Sequence, residues 1–269
     1  MATIQTADGT ELFVKDWGSG RPLVFVHSWA VTNDIWQVQH AHFAAAGHRI
    51  VAFDRRGHGR SDQPGTGYDL DTLADDLARV LAARDVHDAT LIGHSLGCAE
   101  IVRYLTRHGT GRVARIALIA PTTPLLRKSA DNPDGIDNAL FEATRAAWLR
   151  DFPSWVADNA PPFFVPETSR AMIDWAIAQI TQIPLAIALA CNKVGTDSDT
   201  RAELAAITLP ALVIHGTHDV SAPIALTGAR TARLLPRCRY QVYDGAPHGL
   251  MFTHADRLHA DLAAFMAGD

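Results

Sequence analysis

Apolar residues follow two rhythms along this chain. From Ala2 to Thr6 and again from Glu11 to Asp16 they alternate with polar ones, and Asp8-Gly9-Thr10 lies between the two runs. That pattern predicts two short antiparallel strands joined as a hairpin. After Gly18-Ser19-Gly20 the alternation stops. Leu23–Val26, Ile50–Phe53, Ala89–Ile92 and Arg115–Ala120 are short, nearly unbroken apolar runs, as expected of strands covered on both faces. Helical periodicity fills the intervals. It runs over Asn33–Ala46 through Ile35, Trp36, Val38 and Phe43, and over Asp71–Arg84 through Leu73, Leu77, Val80 and Leu81. Ala99–Tyr104 has helical character as well. Such repetition predicts an α/β fold with a mostly parallel sheet, helices on both faces and right-handed crossovers.

The rhythm breaks at Pro121. Up to about Ile207 there is no buried strand, only helix-like stretches at Asp137–Arg150, Thr168–Gln182 and Leu185–Asn192. Pro161-Pro162-Phe163-Phe164 and Pro166 punctuate them. A helical insertion of this kind is expected to lie as a cap over the carboxyl edge of the sheet, where open α/β folds bind ligands. Strands return at Pro210–His215 and Tyr240–Tyr243, and helices at Ala222–Leu235 and His254–Met266. The expected organisation is one sheet unit in two parts, residues 1-120 and 208-269, interrupted by a helical cap at 121-207.

Composition narrows the class. With 269 residues, 48% hydrophobic and 20% charged, the chain suits a single water-soluble α/β unit. Net charge is −5 and no Lys/Arg cluster occurs, so no nucleic-acid partner is expected. Cys98, Cys191 and Cys238 are odd in number and far apart, which argues against a zinc site or a disulfide framework. Met1–Gln5 shows no basic-then-apolar leader, and no apolar stretch is long enough for a bilayer. A cytoplasmic location without membrane association is expected, and self-association is left open. The thirteen histidines invite a metal. His40/His42 and His215/His218 are close in sequence, but neither a helical His-x-x-x-His nor a carboxylate-rich cluster accompanies them. Neither metal nor cofactor is expected. Gly57-His58-Gly59 lacks the lysine and the strand–helix setting of a phosphate loop.

The chemistry centres on Gly93-His94-Ser95-Leu96-Gly97. It follows an apolar strand and opens a helical segment, the arrangement of a nucleophile elbow. Glycines on either side permit a turn sharp enough to lift the Ser95 hydroxyl above the sheet, beside a helix N-terminus that favours a developing anion. A serine hydroxyl needs a base, and the base needs an acid to orient it. Both would come from loops after later strands. Asp219 follows the Pro210–His215 strand, and His248 follows Tyr240–Tyr243. Asp244 is a rival acid, but it shares a loop with His248 and is better placed to shape that turn. For the oxyanion, the backbone N–H of Leu96 and that of Trp29 are the candidate donors. His27 and His94 are assigned to the pocket region, His27 as a hydrogen-bonder beneath the oxyanion loop. Among the aromatics Trp148, Phe152, Trp155, Phe163, Phe164 and Trp175, the pair Phe163-Phe164 is the preferred substrate-facing one.

These residues carry a resemblance to the α/β-hydrolase superfamily over essentially the whole length. Within it the chain resembles the bacterial serine esterases and the cofactor-free haloperoxidases or perhydrolases. The carriers are Lys15–Gly20, Phe53–Asp62, the elbow, Arg103-Tyr104 with Arg107-His108-Gly109, Val213–Gly216 with Asp219, and Ala246–Gly249. The resemblance implies an eight-stranded, mostly parallel sheet with a helical cap. It makes Ser95 the nucleophile, His248 the base, Asp219 its orienter, and the Trp29 and Leu96 amides the oxyanion hole. Three positions depart from the pattern. Ser28 stands where the family often has glycine, and Cys98-Ala99-Glu100 replaces a small, glycine-rich run. Ala30 occupies a position where perhydrolases often have proline, which favours esterase or lactonase action over efficient perhydrolysis.

The expected function is hydrolysis of a small, neutral, partly hydrophobic carboxylic ester or lactone through an acyl-enzyme, with perhydrolysis as a side activity. Two alternatives are a cofactor-free dioxygenase on the same fold and a ligand receptor without turnover. The dioxygenase would need an acid after the strand that follows the elbow, where this chain has Ala120-Pro121-Thr122. Dehalogenases and epoxide hydrolases place Asp where Ser95 stands.

Overall fold

Strands buried on both faces build the centre of the sheet. In the computed structural model, which describes residues 3–268, eight strands form it: β1 (Thr3–Gln5), β2 (Glu11–Trp17), β3 (Pro22–Val26), β4 (Arg49–Phe53), β5 (Ala89–His94), β6 (Val113–Ile119), β7 (Ala211–Gly216) and β8 (Cys238–Tyr243). Their spatial order is β1-β2-β4-β3-β5-β6-β7-β8. β2 runs antiparallel to both β1 and β4, and every other pair is parallel. The expected hairpin is therefore present, except that Ala2 lies outside the described residues.

Successive strand residues point to opposite faces, and the two faces have separate cores. Val24 and Val26 of β3, Leu91 of β5 and Val213 of β7 belong to one core. It is completed by helices α2 (Leu70–Ala83) and α3 (Leu96–His108). Leu23 and Phe25, Ile92, and Leu212 and Ile214 face the other, covered by α1 (Gln37–Ala45) and α10 (Ala255–Ala267). The predicted helix at Asn33 begins instead as a 3-10 turn, Asn33–Trp36, before α1.

Between β6 and β7 come α4 (Asn138–Asn159), α5 (Arg170–Thr181), α6 (Leu185–Asp197) and α7 (Arg201–Ala206). α4 is bent at Asp151, whose φ of −159° and ψ of 87° are not helical, two residues before Pro153. A third apolar cluster ties this insertion to the sheet: Trp148, Phe152 and Val156 of α4 and Ile187, Ala188 and Cys191 of α6 pack with Ala30, Tyr68 and Leu96. Leu204 of α7 joins the sheet core instead. No single helix among the described residues is long and apolar enough to cross a membrane. α5 and α6 together have the length and composition, but they are bent by 98° where they meet.

The last part contains α8 (Gly228–Leu234) and α9 (Leu250–Thr253) before α10. The helix predicted over Ala222–Leu235 is thus shortened at its start. Asp219 Oδ1 accepts from the amides of Ser221 (2.9 Å) and Ala222 (2.8 Å), and Pro223 has no amide to donate, so turns occupy this stretch until Gly228.

Candidate active site

Ser95 follows β5 and caps α3 with φ 55° and ψ −117°. Such a conformation costs a non-glycine residue on the order of 1–3 kcal/mol and survives only where its surroundings enforce it. Close packing supplies that enforcement. A Cβ on Gly93 would stand 2.9 Å from the Gly97 carbonyl, and one on Gly97 would stand 2.6 Å from the Val26 carbonyl oxygen. The Ser95 amide donates to Ile119 O at 3.1 Å.

Asp219 and His248 meet from the loops after β7 and β8. His248 Nδ1 donates to Asp219 Oδ2 at 2.6 Å, which leaves Nε2 as the free basic nitrogen. Burial alone would raise the Asp219 carboxyl. The charge on His248 and hydrogen bonds from His215 and His248 outweigh it and hold Asp219 well below the usual carboxylate range. Ser95, Asp219 and His248 are each only 5% exposed, and Ser95 and His248 line the same cavity. Asp244 faces elsewhere, accepting from Thr217 Oγ1 at 3.1 Å.

The part that two residues play around this acid was not read from the sequence. His215 Nε2 lies 2.9 Å from Asp219 Oδ2 and 2.8 Å from Ala222 O. Both are acceptors, so this nitrogen carries the proton. Its ring rests on Gly228, where a Cβ would come within 2.3 Å of His215 Nδ1. The available signal was the position of His215 at a strand end, four residues before the acid.

His94 lines the cavity, and its Nε2 donates to the backbone carbonyl of His248 at 3.0 Å. Burial, and next to it the nearby charge of His248, keep His94 well below the ordinary histidine range. It is a neutral donor that steadies the His248 loop. Phe163 holds the same loop from the cap. Its carbonyl accepts from Gly249 N at 3.0 Å, and its ring lies edge-on to His248 at 5.6 Å.

The Trp29 amide, after β3, and the Leu96 amide, at the start of α3, have no acceptor among the described residues. Trp29 is held by the cap: its indole Nε1 donates to Ala188 O at 2.8 Å, and its ring stacks on Trp148 at 4.8 Å. Ala30 next to it has φ 56°, which proline, fixed near −65°, cannot adopt. His27 is a correction to the expected pocket set. It does not line the cavity. It is fully buried, and Nε2 accepts from the Arg55 amide at 2.8 Å, so the β4 loop closes over it.

The cavity measures about 440 Å³. Phe163 and Phe164 line it, and so do Trp148, Trp155, Phe141 and Phe252. Phe152 is buried against Trp29 and Trp148 instead, and Trp175 packs on Phe252 behind the wall. Among the described residues no Asp, Glu, Lys or Arg contributes to the lining, so the space suits a neutral, apolar ligand. Among the described residues no group of three or more His, Cys, Asp or Glu is arranged to hold a metal ion.

Comparison with known proteins gives a consistent frame. The family model for the alpha/beta hydrolase fold matches residues 21–255. A non-heme chloroperoxidase from Streptomyces lividans is 39% identical, with 99% of each chain covered. A bifunctional esterase/perhydrolase from Acinetobacter calcoaceticus is 33% identical over 99% of each. The crystal structure of a bromoperoxidase from Bacillus anthracis superposes with a TM-score of 0.94 at 28% identity, covering 99% of this chain and 100% of that one.

Proposed function

This chain belongs to the alpha/beta hydrolase family, and from that premise we propose that it is a serine hydrolase of neutral carboxylic esters or lactones that works through an acyl-enzyme. The observation that carries the reading is the 2.6 Å bond from His248 Nδ1 to Asp219 Oδ2, behind a histidine that shares its cavity with Ser95. An imidazole held in this tautomer presents Nε2 to take the Ser95 proton as Oγ attacks the acyl carbon. The Trp29 and Leu96 amides, both lacking acceptors among the described residues, receive the oxygen of the tetrahedral intermediate. His248 then protonates the leaving alcohol and afterwards activates water to release the acid. Asp219 stays ionised throughout and stabilises the imidazolium that forms.

The perhydrolase and chloroperoxidase names of the relatives make hydrogen peroxide the alternative acyl acceptor to test. A peroxide opening the same acyl ester would yield a peracid and free Ser95. The positive φ at Ala30 keeps the oxyanion loop in a conformation closed to proline, which supports water as the principal acceptor.

The test is hydrolysis of p-nitrophenyl acetate, butyrate and octanoate by wild type and Ser95→Ala, with chelator present throughout and with peroxide added in a parallel series. Turnover by wild type that persists with chelator and falls at least about 10⁴-fold in Ser95→Ala supports the reading. A folded wild type that turns over none of these esters, nor a simple lactone, contradicts it and moves the receptor reading forward.

A further inference from the structure

Trp29 and Leu96 belong to different elements, yet their amides must converge on one oxygen. The direction of the Trp29 N–H is set by the Ser28–Trp29 peptide, because carbonyl and amide point oppositely from a planar trans unit. Whatever holds the Ser28 carbonyl therefore aims the Trp29 amide. Two buried donors hold it: His27 Nδ1 at 2.8 Å and Arg55 Nη1 at 2.9 Å.

The same guanidinium reaches further. Arg55 Nη2 donates to His27 O at 2.6 Å, and Nε donates to Glu100 Oε1 at 2.5 Å. Glu100 lies on α3, five residues beyond Ser95 and one helical turn from Leu96. Both side chains are 1% exposed. Burying an ion pair is a poor route to stability, since an apolar pair of similar volume generally does as well or better. Glu100 Oε2 also has no partner among the described residues, so the pair is incompletely satisfied. Its geometry has a more specific consequence: one rigid, planar group bonds the carbonyls of the oxyanion loop and is anchored on the helix that carries the other donor.

We propose that Arg55 and Glu100 are positioning residues that set the oxyanion hole, with the guanidinium fixing the Ser28–Trp29 peptide plane and the carboxylate locking it to the elbow helix. Neither residue touches substrate. Their effect falls on the transition state, where the oxygen carries charge, and hardly on the bound ester. The inference rests on the acyl-transfer reading above.

The double variant Arg55→Met/Glu100→Leu removes both charges together and keeps the buried volume, which separates positioning from stability. Arg55→Lys keeps the ion pair but cannot span two carbonyls and a carboxylate. Each is measured for thermal midpoint, kcat and KM on p-nitrophenyl butyrate, and inhibition by an alkyl trifluoromethyl ketone, whose serine adduct carries an oxyanion. We expect folded proteins with kcat lowered about 10²-fold in the double variant and about tenfold in Arg55→Lys. KM should stay within about threefold, and trifluoromethyl ketone inhibition should weaken in parallel with kcat. If the double variant does not fold, Arg55→Lys decides. A folded variant with kcat within about threefold of wild type and unchanged inhibition overturns the proposal. In that case wild-type turnover lost in Ser95→Ala leaves the acyl-transfer reading standing, whereas an inactive wild type removes both.

Discussion

Single atoms decide whether the proposed acid does its work. Asp219 uses every lone pair the turn allows: one oxygen takes the amides of Ser221 and Ala222, the other takes His215 and His248. His215 keeps its place because Gly228 has no side chain. Gly228→Ala puts a methyl 2.3 Å from His215 Nδ1, and the ring must turn away from the carboxylate. The expected result is a loss of about 1–3 kcal/mol in stability and a fall in kcat, with KM little changed, read by thermal unfolding and ester kinetics. At this scale the sequence was only partly legible. Ser95 stands out through its flanking glycines, and Asp219 and His248 through their places after strands. His215, Gly228, Arg55 and Glu100 do not, because their roles come from contacts across the fold. Arg55 and Glu100 are 45 positions apart and meet only once β4 and α3 are in place. His27 was legible as a hydrogen-bonder beneath its loop, but not its partner, the Arg55 amide arriving from β4.

At the scale of elements, the helical insertion is both roof and clamp. α4 and α6 grip Trp29 through Trp148 and Ala188, and Gln179 of α5 accepts from Thr32 Oγ1 at 2.8 Å. Trp155 lines the cavity and packs edge-on to Trp148 at 5.1 Å. Trp155→Ala should lengthen the cavity and raise the octanoate-to-acetate ratio of kcat/KM by about tenfold, since each methylene accommodated is worth roughly 1 kcal/mol or more. An unchanged ratio would show that acyl chains extend elsewhere. Strand positions were readable because unbroken apolar runs have few other uses. Helix ends were not. The stretch before α8 is governed by the Asp219 side chain, and the bend in α4 by Asp151 and Pro153, neither of which disturbs apolar periodicity.

For the molecule as a whole, buried histidines dictate the response to acid. Burial, together with the charge on Arg55, keeps His27 well below its ordinary value of 6.5. Burial, together with the charge on His248, does the same for His94. Burial, with Lys15 beside His40 and Arg55 beside His58, brings each of these to about 3. Unfolding restores their basicity, so below 6.5 the unfolded chain takes up protons that the native chain refuses. The stability these groups give is present above that pH and is lost below it, at roughly 1 kcal/mol per group per pH unit. Glu100 acts in the opposite sense. Burial, only partly offset by Arg55, pushes it up to about 7 from 4.5, so its contribution is present at low pH and lost as pH rises through 7. Four histidines outweigh one glutamate, and acidification from pH 7 to 5.5 should cost on the order of 3 kcal/mol. Calorimetry at the two pH values checks this, and an unchanged midpoint would contradict it.

Hydrolysis through an acyl-enzyme requires an acyl group to pass through Ser95. The direct measurement is the mass of the intact protein, quenched in acid within milliseconds of mixing with p-nitrophenyl butyrate, followed by peptide mapping. One butyryl group per chain is expected during turnover, on the peptide containing Ser95, and none on Ser95→Ala. Turnover with no butyryl adduct on that peptide, under conditions where p-nitrophenol release shows a burst, would contradict it.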